Sequence, residues 1–88
     1  MPYIKDDDRI KYYKHFRDFP EIKTKGELEY LIFRMMMLYM KGKENRYSIL
    51  HDCTYSAMHC ADEFRRRFLD KRENEARQEN GDIHNIVI

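Results

Sequence analysis

TKGELEYLIFRMMMLYM, residues 24–40, opens on a T-x-x-E capping box made by Thr24 and Glu27, then runs apolar from Leu28 to Met40 except at Glu29 and Arg34. The box marks a helix start, because the threonine hydroxyl and the glutamate carboxylate each satisfy a backbone N–H that the first helical turn leaves without a partner. Gly42, beside Lys41 and Lys43, marks the end, so the spacing predicts a helix from Lys25 to about Lys41. A surface helix buries one apolar stripe. This one has Leu28, Leu31, Ile32, Met35, Leu38 and Tyr39 on one side and Phe33, Met36, Met37 and Met40 on others. It needs more cover than one neighbour gives.

The flanking segments read as two more helices. Asp6, Asp7 and Asp8 suit the positive end of a helix, with Asp6 as the expected cap, and Ile10, Tyr13 and Phe16 recur at three-residue spacing before Phe19-Pro20 stops the run. Helix 1 should cover about 6–18 and follow an extended Tyr3-Ile4-Lys5 lead-in. After the polar residues 43–47, Ser48 is the expected cap of a third helix. There Ile49, Leu50, Cys53, Ala57, Cys60, Ala61, Phe64 and Phe68 recur at steps of three and four. The small residues Ala57, Cys60 and Ala61 suit close approach by the Met-rich face of helix 2. Residues 71–79 form helix readily but are almost free of apolar side chains, so they extend helix 3 into solvent until Asn80-Gly81-Asp82 ends it. The β-branched tail, residues 83–88, reads as a short strand, paired with the Tyr3-Ile4 lead-in. The expected fold is all-α: one three-helix domain over residues 1–88, with a long C-terminal helix and short extended terminal segments tied together.

An 88-residue domain buries only about 60 to 65% of its unfolded surface, so it is marginal alone. That favours a homo-oligomer, joined through the Met/Phe flank of helix 2, with Phe33, Met36, Met37 and Met40 as the expected interface residues, or through the extended helix 3. Lys and Arg (17) nearly balance Asp and Glu (16), which leaves no overall field for nucleic acid or anionic membrane and argues against both. The first five residues lack the basic and apolar regions of a secretion signal and no apolar run reaches membrane-spanning length, so a cytoplasmic location is expected. Cys53 and Cys60 lie about 10 Å apart along one helix, too far for a disulfide.

Catalytic and cofactor signatures are missing from the residue pattern. His51 and His59 stand two turns apart with no second ligand pair, which is not the spacing of structural zinc. All-α nucleotide pyrophosphatases hold magnesium with E-x-x-E pairs, whereas Glu27 and Glu29, or Glu73 and Glu75, are two apart and diverge. We therefore expect no enzyme activity, no metal and no cofactor. The polar set of most interest is cationic. Glu27, Tyr30 and Arg34 form one polar strip on helix 2, and an arginine among Met and Phe calls for a carboxylate or an anion. Arg65-Arg66-Arg67 on helix 3 reads either as a solvated face with Glu63–Arg67 and Arg66–Asp70 pairs or as part of an anion or nucleotide pocket with Tyr30, Arg34, Arg66, Arg67, Glu27 and Glu63.

Four ordered blocks carry a resemblance: Met1 to Lys5 with Asp8-Arg9; Gly26-Glu27-Leu28 with Tyr30, Ile32 and Arg34; Cys60-Ala61 with Glu63-Phe64 and Arg66-Arg67; and Glu79-Asn80-Gly81-Asp82. In these the chain resembles a small family of unknown function found in tailed phages and bacteria. It departs from that family at Glu29, where members more often have Asn, and at Lys71-Arg72-Glu73, where they have Tyr-Glu-Asp. The resemblance implies no reaction. It implies a phage-type protein working in the cytoplasm of a bacterial host, of a size typical of host-takeover and counter-defence factors. Together with the Met-rich helical surface, the expectation is a self-associating binding protein that contacts a host protein, with small-anion or nucleotide binding as the alternative.

Overall fold

The structure, a computed structural model, describes residues 2–44 and 46–83. Three helical arms follow in order: α1 (Asp6–Arg17), α2 (Lys25–Met40), and a 34-residue rod made of α3 (Tyr47–Phe64), a π-helical turn (Arg65–Leu69) and α4 (Asp70–Asn80). The described residues contain no strand. At 1.5 Å per residue the rod alone is about 50 Å long, and it sets the longest dimension of a 58 × 33 × 28 Å molecule.

The capping box forms as its spacing requires. Thr24 Oγ1 accepts from Glu27 N at 3.0 Å, while Glu27 Oε2 accepts from Thr24 N at 2.9 Å and from Lys23 N at 3.2 Å. Gly42 turns the chain after α2 with φ +76°, and Gly81 ends α4 with φ +87° and its N–H on the Arg77 carbonyl at 2.9 Å. Two expected caps move. Lys5, not Asp6, is the residue before α1, so Asp6, Asp7 and Asp8 make up the first turn and act through the helix dipole rather than by capping. Helix α3 starts at Tyr47 behind Arg46, so Ser48 lies inside it. Neither start is capped by a side chain.

Helices α2 and α3 meet at the end where the chain turns between them. There the Cys53 thiol donates to the Met36 carbonyl at 3.5 Å, the Tyr39 hydroxyl donates to Asp52 at 3.1 Å, and Lys43 Nζ caps the Tyr39 carbonyl at 2.6 Å while lying over its ring. The Asp52 hydrogen bond, with that carboxylate's charge, raises the Tyr39 phenol above its ordinary pKa. From this hinge the two helices splay. The Met face of α2 therefore meets the small residues of α3 only near Cys53, and Ala57, Cys60 and Ala61 line an open groove instead of being covered. Among the described residues Cys53, 7% exposed, is the one side chain that is buried.

Helix α1 stands apart from the other helices. No Cα of α1 comes within 8 Å of another helix; of α1 only Phe16, with Phe19, Pro20 and Ile22 of the linker, lines a hollow beside Leu31, Ile32 and Met35 of α2. The expected tail strand lies outside the described residues from residue 84 onward, and Ile83 is in a helical turn. The lead-in goes to the far end of α3 instead.

Candidate functional site

A groove runs between the splayed helices, an apolar trough of about 750 Å³. One wall is Leu28, Ile32, Met35 and Tyr39, at steps of four, three and four along α2. The other is Cys53, Ala57, Cys60 and Phe64, at the same steps along α3. These are the a/d steps of helices that pack side by side. Leu69 continues the second wall although it lies five residues beyond Phe64. In an α-helix five residues would carry it well round the rod; the π turn, with i to i+5 hydrogen bonding, absorbs the extra residue and keeps the two in line. Phe64 and Phe68 touch at the same place, with ring centroids 4.8 Å apart.

The polar candidates divide into three places. Glu27 serves as the reciprocal half of the capping box, a structural task. Tyr30 and Arg34 pair on α2, the guanidinium 6.0 Å above the ring, with no carboxylate on Arg34 among the described residues. Glu63, Arg66 and Arg67 gather at the π turn around a residue that spacing did not single out, Tyr3. Its hydroxyl donates to Glu63 Oε1 at 2.8 Å and accepts from Arg67 Nη1 at 3.0 Å, while Arg67 also lies over the Tyr3 ring. Arg66 grips the same carboxylate, with Nε 3.3 Å from Oε2 and Nη2 on Oε1. The expected Glu63–Arg67 and Arg66–Asp70 pairs are thus replaced by Glu63–Arg66 and Arg67–Tyr3, because the lead-in inserts a phenol between Glu63 and Arg67. No contact joins Tyr30 or Arg34 to this cluster among the described residues.

The hydrogen bonds from Arg66 and then Tyr3, with the positive charges of Arg66 and Arg67, hold the Glu63 carboxyl below its ordinary value. A depressed folded-state pKa contributes stability that is present above the unfolded value, about 4.3, and is lost as pH falls through the folded one. NMR titration of Glu63 should therefore show its midpoint rising toward the ordinary value in Arg66→Gln, and by less in Tyr3→Phe. An unchanged midpoint in both would show that the cluster of Tyr3, Glu63 and Arg66 does not form.

The expected interface residues fall on two faces. Met36 and Met40 are half-buried, Met36 lining the groove, whereas Phe33 (63% exposed) and Met37 (49% exposed) project from α2 away from it. On α3 the rings of Tyr47, His51, Tyr55 and His59 form a ladder at four-residue steps, the His51–Tyr55 pair stacked at 4.1 Å. That ladder was legible as Y-x3-H-x3-Y-x3-H, a repeat that a search for metal spacing passes over. Among the described residues no three His, Cys, Asp or Glu side chains are grouped to hold a metal ion, and no helix is long and apolar enough to cross a membrane.

No curated protein and no solved structure matches the chain. A family model does, over residues 1–83, which takes in the lead-in, the capping box, both groove walls and the π turn. The chain belongs to the family described as a domain of unknown function, DUF6899.

Proposed function

We propose that this protein is a non-enzymatic, self-associating binding protein of phage type that acts by helix-mediated contact with a protein of its bacterial host, in host takeover or counter-defence within the host cytoplasm. One observation carries the reading: among the described residues the apolar side chains stand on helical surfaces, with Cys53 alone buried. A chain that spends its apolar residues this way is built to be covered by another polypeptide. Phe33 and Met37, on the face of α2 away from the groove, are the side chains we assign to the host partner; methionine adapts to varied surfaces because it is flexible and polarizable. Capture from bacterial lysate on immobilised protein tests this. The wild type should retain a discrete host protein that Phe33→Glu/Met37→Lys does not, and identical retention by both removes that face from the proposal.

Anion or nucleotide binding stays the second reading because of Arg34, which rests on Tyr30 without a carboxylate among the described residues. The arginines at the π turn favour it less, since Glu63 already holds Arg66. A thermal-shift screen with nucleotides decides: a ligand at a hundred times its dissociation constant adds about 2.7 kcal/mol, and no shift across the screen eliminates this reading.

A further inference from the structure

We infer that the groove between α2 and α3 is closed by the same groove of a second copy, the two chains packing about a two-fold axis into a four-helix bundle. The inference rests on the reading that the chain works by contact, and it names the surface and the partner. The accessible area is the first ground. A folded monomer of 10.9 kDa exposes about 5,600 Å², and this chain exposes 8727 Å². The excess of roughly 3,000 Å² belongs to the whole chain, α1 and α4 included, and shows that it exposes far more surface than a compact monomer, while a standard stable interface takes about 800 Å² from each partner. Its radius of gyration, 18.1 Å, also exceeds the 12 Å or so of a compact chain of this length.

The second ground is the shape of the walls. Leu28, Ile32 and Met35 on α2 are large, whereas Ala57, Cys60 and Ala61 on α3 are small. Turning a second copy through the two-fold sets the large side chains of α2 in each against the small middle of the α3 wall in the other, between Cys53 and Phe64, which is the interdigitation that dense packing needs. The matching steps of four, three and four on both walls suit the shallow crossing of four-helix bundles. The need for cover also belongs to the fold itself. A chain with a single buried side chain among its described residues requires it whenever it is folded, and the one polypeptide always present with it is its own copy.

Sedimentation equilibrium of the full chain should give twice 10.9 kDa, with a melting temperature that rises with protein concentration. Cys60, exposed in the single chain, should react with a thiol reagent at least tenfold more slowly in the dimer than after dilution to monomer. Phe33→Glu/Met37→Lys, changed on the opposite face, should leave the mass unchanged. A monomer of 10.9 kDa with a concentration-independent melt overturns both the bundle and self-association. A dimer that Phe33→Glu/Met37→Lys dissociates, with Cys60 freely reactive, overturns the groove interface while leaving the contact reading intact.

Discussion

Ala57→Glu should abolish the dimer at concentrations where the wild type is fully associated. Ala57 is half-buried on the α3 wall of the groove, one helical turn from Cys53 and one from Cys60. In a single chain the introduced carboxylate would reach water through the open mouth of the groove, at little cost. In the bundle it would be pressed between apolar walls, and the two-fold axis repeats the penalty. An unpaired buried carboxylate costs several kcal/mol, so a loss of more than a hundredfold in association, about 2.8 kcal/mol, is a lower expectation. Because the isolated chain has almost no interior, its helical circular dichroism should fall together with its mass. Acidification should partly restore both, since desolvation favours the neutral acid. A dimer that tolerates the substitution, with wild-type mass and melt, would place the interface elsewhere.

Thr24→Ala should be the most damaging single change outside the groove. It removes the acceptor of the Glu27 N–H at 3.0 Å and loosens the return bonds from Glu27 to the Thr24 and Lys23 N–H groups. Loss of an N-cap threonine costs about 1 kcal/mol, with a range of about 0.5 to 2. For a domain of this size about 1 kcal/mol corresponds to a melting temperature lower by roughly 4 to 8 °C. Glu27→Gln, which keeps an acceptor for the box, should retain most of the stability, whereas Glu27→Ala should resemble Thr24→Ala. The double change to alanine should cost less than the sum of the two, as expected of residues that act as one unit. Thermal melts at one protein concentration measure all four variants; full additivity would mean that the box is not reciprocal in solution.

How far the residues alone lead differs between elements. Helix α2 was readable end to end because each signal acts within a few residues: a threonine hydroxyl three positions from the N–H it accepts, and a glycine free to take positive φ. Helices α1 and α3 were readable in extent but not in start, since Asp6 and Ser48 have the chemistry of caps while the chain enters α1 one residue earlier and α3 two residues earlier. The candidate polar residues are brought together only in part. Glu63, Arg66 and Arg67 do come together, whereas Glu27 is spent on the cap and Arg34 stays with Tyr30. Tyr3 was invisible as their partner because it is 60 residues from Glu63, and no periodicity spans that distance.

What the residues determined by themselves is therefore the set of helices, the capping box of α2 and the apolar stripes, all consequences of hydrogen bonds and steric preferences over three or four positions. Only the tertiary structure decided how the stripes were used. The hinge at Cys53 and Tyr39 sets the splay of α2 from α3, and the π turn rotates Leu69 into the groove. Stripes on two helices state that cover is needed; the angle between the helices, set by contacts between residues far apart in the chain, decides whether one chain can provide it. Here it leaves an apolar trough open between α2 and α3.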